Sequence, residues 1–344
     1  MITTPSPSER ARRRDFASGA PLRFRELTLQ STWRCNARCA MCYQSAGPRG
    51  SDTLGDATLE RDVLLRVVAQ ALDVPTLEPR LQLVGGEALL RLDDCLAVVE
   101  TAARAGFQSI SIATNAFWAR RPKVADAHCA RLADAGLTSL EVSFDAWHLP
   151  WVEGETVSNA LEAASRRGLP VTLRVLTSRD HGVDDTLARL RPAALDAATR
   201  IHCTTVASTG RAGRELAPGE FLARGDLTAA CHRELSLTVN PAGDVFPCCS
   251  GLDQTRALGF GNVRERSIVA IAAEMSASPL LRRIVFEGVG SLVPLLEHAG
   301  VTVADPHSSI CSLCWSLFSR DDCVTALRAL FPEEPFRPPA AAGD

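Results

Sequence analysis

The chain has 344 residues, 46% of them hydrophobic, enough apolar material for one large domain or a large domain with a smaller companion. A formal net charge of −3 and a pI near 6.2 exclude a strongly basic chain of the kind that binds nucleic acid or an anionic membrane. No apolar run approaches the ~18 residues that span a bilayer, and the N-terminus, with its "RARRR" patch, lacks the apolar stretch of a secretory signal.

The protein is therefore expected in the cytoplasm, where its 12 cysteines point to metal binding or catalysis rather than disulfides. In chain order, residues 1–23 read as a flexible leader, and 24–210 alternate β-rich runs with amphipathic helical segments. "RELTLQST" (25–32) is the first strand, followed by "LQLVGG" (81–86), "SISIATN" (109–115), "SLEVSFDA" (139–146), "PVTLRVLT" (170–177) and "RIHCTTVAST" (200–209). Helical periodicity falls near 59–72, 93–105, 123–135, 156–167 and 183–191, with glycines in "ARAGF" and "ADAGL" as C-caps.

Six strands alternating with helices predict parallel units with right-handed crossovers, an α/β fold in the form of a partial (β/α)6 barrel. Such a barrel presents its chemistry at the C-terminal ends of its strands. Past Gly210 the rhythm changes. "TGRAGRELAPGEFLARGD" is a glycine-rich connection, and "LSLTVNPAGDVFPCC" reads as a hairpin turning at "NPAG". Helices are expected near 266–276 and 279–297, which makes 211–344 a smaller, C-terminal cysteine-rich domain.

"CNARCAMC" places Cys35, Cys39 and Cys42 in the loop after the first strand. Three thiolates there can hold three irons of a four-iron, four-sulfur cluster and leave the fourth open, whereas a zinc site wants a fourth ligand at hand. The Cys-x3-Cys-x2-Cys spacing after the first strand resembles the radical S-adenosylmethionine superfamily. That resemblance implies a reducing [4Fe-4S] cluster on Cys35, Cys39 and Cys42, S-adenosyl-L-methionine on its open iron, and a flavodoxin- or ferredoxin-type electron donor. Met41 stands where many members carry an aromatic residue. The resemblance also implies that Gly85, Gly86 and Glu87, ending the second strand, receive the methionine amino group. Thr114, Asn115, Ser143, Asp145 and Arg174, at later strand ends, become candidate cofactor contacts. "SFDAWHLPW" sets Asp145 beside His148, which can orient a substrate or exchange a proton, or simply cap a helix and pack a loop. Cys95, Cys129 and Cys203 fall within helix and strand patterns and are expected to be buried thiols.

The last third carries Cys231, Cys248, Cys249, Cys311, Cys314 and Cys323. The spacing from Cys231 through Gly243 to Cys248 resembles the auxiliary-cluster domains called SPASM and, in shortened form, twitch. The resemblance implies a second, auxiliary [4Fe-4S] cluster on Cys231, Cys248, Cys311 and Cys314, with Cys323 able to replace one of them. A four-cysteine zinc clamp is the alternative reading of the same residues. Adjacent side chains in an extended segment point to opposite faces, so Cys249 is expected to look away from a cluster held by Cys248. A thiol S–H is weak enough to give a hydrogen atom to a carbon radical, which makes Cys249 the candidate catalytic donor.

Only 34 residues precede Cys35, too few for a folded leader-peptide-recognition domain, so a small-molecule substrate is expected. With the donor cysteine, the chain resembles the sugar epimerases of aminoglycoside antibiotic pathways, which implies inversion of a carbon in a polycationic sugar. Glu87, Asp145, Glu153 and Glu155 are the acidic candidates for holding it. The rivals are a twitch-type dehydrogenase, an epimerase or cross-linker of a ribosomal peptide, and a non-catalytic zinc protein.

Overall fold

The structure is a computed structural model and describes residues 19–222, 231, 235–255, 257–303 and 307–336. The "RARRR" patch lies outside those residues. The barrel strands are β1 (Leu27–Gln30), β2 (Arg80–Val84), β3 (Ser109–Thr114), β4 (Ser139–Ser143), β5 (Val171–Thr177) and β6 (Arg200–Thr205). Each expected strand is present, shortened at its ends. Helices α1 (Arg61–Ala71), α2 (Leu92–Ala105), α3 (Pro122–Asp134) and α4 (Gly154–Arg166) fill the first crossovers, and two short helices, α5 (Val183–Leu187) and α6 (Pro192–Ala197), replace the single helix expected at 183–191. The break falls before Pro192, which has no N–H to continue a helix and starts a new one at its first position.

Strand composition explains the layering. Leu27, Leu29, Leu81, Leu83, Ile110, Ile112, Leu140 and Val142 are at most 1% exposed and pack with Val67, Val68, Val98, Val99 and Leu161 of the surrounding helices. Burial of each such side chain stabilises the fold by about 1.5–3 kcal/mol. Parallel sheets covered on both faces usually read as unbroken apolar runs. Here the alternate positions are polar instead, and they meet one another. Gln82 Nε2 donates to Glu141 Oε1 at 3.0 Å, and Arg174 donates to Glu141 Oε2 at 2.7 Å. The second face of the sheet is thus a polar interior.

Two more strands join the sheet: β7 (Leu237–Val239) and β8 (Val245–Phe246), the hairpin predicted around "NPAG". The full order is β8-β7-β1-β2-β3-β4-β5-β6, parallel except for the β8–β7 pair. β7 pairs with β1 in the register Leu27↔Leu237 and Thr28↔Thr238. β8 then runs back, with Phe246 opposite Thr238 and the Ser236 N–H donating to the Pro247 carbonyl at 2.9 Å. The chain therefore reaches Cys248 beside the N-terminal end of β1, whereas the Cys35 loop leaves its C-terminal end.

The remaining helices are α7 (Ala212–Glu215), α8 (Ile268–Ala277), α9 (Pro279–Glu287), α10 (Val293–His298), α11 (Ile310–Ser319) and α12 (Asp321–Leu330). The helix expected over 279–297 is interrupted at Gly288, whose φ of +86° no ordinary helical residue adopts. One burial expectation needs correction. Cys95 and Cys129 are buried, but Cys203 is exposed, because β6 has a strand neighbour only in β5 and ends the sheet.

Candidate active site

Beyond β1 the chain folds back so that "CNARCAMC" forms one cluster of side chains. Cys35 and Cys39 are buried and Cys42 half-buried, packed with Ala37, Met41, Trp147 and Val206. The Cys35 N–H donates to the Gly47 carbonyl at 2.9 Å and the Cys42 N–H to the Cys39 carbonyl at 3.2 Å. Burial pushes the Cys35 and Cys39 thiols up, neighbouring thiols and carboxylates add to this, and the Arg211 charge works against it. Asn115 Nδ2 donates to Asn36 Oδ1 at 2.9 Å and stands 3.7 Å from Cys35 Sγ.

The Gly85–Glu87 segment meets this loop through its backbone. Gly86 N–H donates to the Thr32 carbonyl at 2.7 Å and Glu87 N–H to that of Arg34 at 2.9 Å. A Cβ on Gly86 would stand 2.2 Å from the Arg34 carbonyl oxygen, so this approach requires glycine. Glu87 is 2% exposed, and its carboxylate accepts from Leu89 N–H (3.1 Å), the Thr114 hydroxyl (2.9 Å) and Asn115 N–H (2.8 Å). Burial pushes its carboxyl up to about 7, outweighing the hydrogen bonds that pull it down. Glu87 and Thr114 thus bracket β2 to β3, with their polar atoms turned to each other.

Asp145 Oδ1 accepts from His148 Nδ1 at 2.9 Å and Trp147 N–H at 3.1 Å, while its Oδ2 is buried without a hydrogen-bond partner. That orphaned acceptor lies close enough to Cys39 to act on its thiol. Buried acceptors in folded proteins are almost always satisfied, so the three-thiol pocket is built to take a donor from a bound group. The residues fit a cluster on Cys35, Cys39 and Cys42 with S-adenosyl-L-methionine beside it. Ser143 is half-buried at the end of β4. Arg174 stands at the same level, in register with Ser143 on β4 and His202 on β6, with its side chain 44% exposed.

The second set of thiols divides in two. Cys231, Cys248, Cys311 and Cys314 line one cavity with Ser250, Leu252, Ile284, Val289 and Ile310. Burial pushes the Cys248 and Cys314 thiols well up, and their mutual proximity and that of Cys231 add to it. Among the described residues, no three His, Cys, Asp or Glu stand close enough to hold a single metal ion. Four thiols around one largely apolar cavity suit an iron–sulfur cluster held by cysteines. Cys323 is not among them: it is 0% exposed in the hydrophobic core of α12, and the groups acting on it are Arg320 and Asp322.

Cys249 belongs to a different neighbourhood. Burial, with Asp253 and Glu26 nearby, pushes its thiol up to about 12 against the opposing charge of Arg174. The thiol therefore keeps its hydrogen at neutral pH. Asp253 is itself buried, its Oδ2 accepting from Gln30 at 2.7 Å and Gln254 at 2.9 Å. Tyr43, the only tyrosine in the chain, carries a phenol pushed up by burial and by Cys249 and Asp253.

Sequence reasoning missed Tyr43 and Asp253, which lie near Cys249, Gln30, which donates to Asp253, and Arg211, which contacts the first loop. The available signal was a glutamine at an inward strand position and a Gly-Arg pair inside a supposed linker.

Comparison with known proteins agrees with this geometry. The radical SAM superfamily matches residues 29–191, and an iron–sulfur cluster-binding domain, SPASM, matches 231–315. The chain is similar to "Putative peptide biosynthesis protein YydG" of Bacillus subtilis, 20% identical over 83% of this chain and 89% of that one. It is also similar to "Probable GTP 3',8-cyclase" of Methanothermobacter thermautotrophicus, 35% identical over 35% of this chain and 34% of that one. Among solved structures, anSMEcpe with bound AdoMet superposes with a TM-score of 0.51 at 13% identity, covering 76% of this chain and 81% of that chain, a likeness of fold. No described helix is long and apolar enough to cross a membrane.

Two outcomes follow from these contacts. Because Glu87 has a folded pKa near 7 against an ordinary value of 4.5, its ionisation opposes folding, and stability falls as pH rises through that window. Unfolding free energies at pH 4.5 and 7.5 should reveal a loss on the order of 3 kcal/mol in wild type that Glu87→Gln does not share. In iron assays after anaerobic reconstitution, Cys314→Ala should lose about four irons per chain, whereas Cys323→Ala keeps the wild-type content.

Proposed function

The chain is a radical S-adenosylmethionine enzyme with an iron–sulfur-binding SPASM domain, and from that premise we propose that it is an epimerase acting on a peptide, with Cys249 as the hydrogen-atom donor. The observation that carries this reading is the divergence of two adjacent cysteines: Cys248 joins Cys231, Cys311 and Cys314 around one cavity, while Cys249 answers to Asp253, Glu26 and Arg174.

When bound, the first cluster and S-adenosyl-L-methionine supply a 5'-deoxyadenosyl radical that removes a hydrogen atom from a substrate carbon. The substrate radical lies in the polar interior, between the Cys35 loop at one end of β1 and Cys249 near the other. Cys249 breaks its S–H bond and gives that hydrogen to the opposite face of the carbon, so the carbon is inverted and the unpaired electron is left on the Cys249 sulfur. An auxiliary cluster held by Cys231, Cys248, Cys311 and Cys314 would supply the one electron that, with one proton from solvent, restores the thiol. The substrate undergoes no net oxidation. A buried thiol that stays protonated suits this role, since a thiolate has no hydrogen to give.

The substrate class rests on two further points. The relative matched over most of both chains is named for peptide biosynthesis. Two of the acidic residues proposed for a polycationic sugar are engaged: Glu87 by Leu89, Thr114 and Asn115, and Glu155 by Arg191. Arg174 beside Cys249 also suits a peptide carbonyl or carboxylate better than an amine. An aminoglycoside substrate of the neomycin C epimerase type shares the chemistry and is the competing arm of the test.

Incubation in deuterated water with S-adenosyl-L-methionine, a reductant and panels of linear peptides and aminoglycosides decides the matter. The expected product is a peptide with one residue inverted and one solvent deuterium at its α-carbon. Cys249→Ala should still release 5'-deoxyadenosine but give no inverted product. A product two hydrogens lighter identifies a dehydrogenase and ends the proposal, as does unimpaired inversion by Cys249→Ala.

A further inference from the structure

Arg211 is the largest side chain among the described residues with no exposure to solvent. It follows the barrel strands by nearly the whole length of the domain, yet its side-chain hydrogen bonds all return to residues 39–52. Nε donates to Asp52 Oδ2 at 2.8 Å, Nη1 to the Cys39 carbonyl at 2.9 Å, and Nη2 to the carbonyls of Ser45 at 2.6 Å and Ala46 at 2.8 Å. Its backbone N–H donates to the Cys42 carbonyl at 3.0 Å. Two cysteine carbonyls of the first loop are thereby held by a single residue.

The surroundings are built for this contact. Gly210 sits at φ +56°, and a Cβ there would stand 1.9 Å from the Tyr43 carbonyl oxygen, so only glycine lets the segment come this close. Arg214 donates to the Ser45 hydroxyl at 2.7 Å, and Arg38 of the loop pairs with Asp52 at 3.0 Å and Glu215 at 2.7 Å. A planar guanidinium can reach a carboxylate and several carbonyls at once, which an ammonium group cannot.

We propose that Arg211 is a positioning residue for the iron-binding loop: it fixes the backbone carrying Cys39 and Cys42, and so determines whether that loop takes up and retains its cluster. The loop's own hydrogen bonds near the thiols are few, and Arg211 supplies the rest from a segment more than 160 residues away, as its bonds to Ser45 and Ala46 record. This inference stands apart from the epimerase reading and holds for any reaction the cluster supports.

The test uses full-length protein, reconstituted anaerobically with iron and sulfide, as wild type, Arg211→Met, Arg211→Lys and Asp52→Asn. Total iron, and the EPR spectrum of the reduced protein with and without S-adenosyl-L-methionine, are measured together with the melting temperature. Arg211→Met should lose about four irons per chain and the spectral component that responds to S-adenosyl-L-methionine, while the auxiliary signal persists. Arg211→Lys should recover part of both. Asp52→Asn, near the surface, should load fully but surrender the responsive cluster to a chelator several-fold faster than wild type. Wild-type iron and an unchanged responsive signal in Arg211→Met overturn the proposal, as does equal loss of both clusters in a folded protein. Should Arg211→Met fail to fold, a wild-type rate of iron loss from Asp52→Asn overturns it instead.

Discussion

Strand β1 is paired on both sides, with Leu81–Val84 on one edge and Leu237–Val239 on the other, and the rest of the arrangement depends on that double pairing. The first pairing starts the barrel and sends the chain from Gln30 into the three-cysteine loop. The second imports a hairpin from the last third of the chain, and because β8 returns antiparallel to β7, it delivers Cys248 and Cys249 to the opposite end of the same strand. Two groups of thiols are thus separated by the height of a sheet whose facing side chains are polar. On the proposed reading, a substrate between them would meet the radical from one end and a thiol from the other, and inversion of a carbon would be the stereochemical consequence.

Burial and charge act together around this axis. The thiols of the second cavity are half-buried against apolar side chains, where a bound metal centre that takes up their charge makes deprotonation favourable. Cys249 is also half-buried, and its loss of hydration, with the acids Asp253 and Glu26 beside it, keeps the proton on sulfur. Cys249 already lies in the turn that follows the strand, so the two adjacent cysteines face different surroundings. At the other end, Glu87 and Thr114 join β2 to β3, and their polar atoms satisfy one another rather than solvent. The orphaned oxygen of Asp145 belongs to a carboxylate that acts on Cys39, and it marks a place for a ligand's donor.

Much of this was legible in the residues. The three-cysteine spacing, the double glycine and the alternation of strands and helices are local patterns, and each of the six barrel strands lies where its apolar period put it. The hairpin at "NPAG" was equally local. What the residues concealed was long-range. No local pattern announces that Leu237 pairs with Leu27, so the hairpin was expected within a separate C-terminal domain rather than as an extension of the barrel sheet. Arg211 sat in a glycine-rich stretch that reads as a solvated linker, and its burial follows only from the loop it meets. Cys203 and Cys323 mislead in opposite directions: a strand pattern does not say which strand ends the sheet, and a nearby Cys-x2-Cys does not bring a third thiol into its cavity.

The division of labour between Cys248 and Cys249 is the central claim, and an anaerobic crystal structure of the reconstituted protein with S-adenosyl-L-methionine tests it most directly. The account predicts the auxiliary cluster on Cys231, Cys248, Cys311 and Cys314, with the Cys249 sulfur unligated and facing the polar interior beside Arg174. A cluster bonded to Cys249, with Cys248 left free, contradicts it.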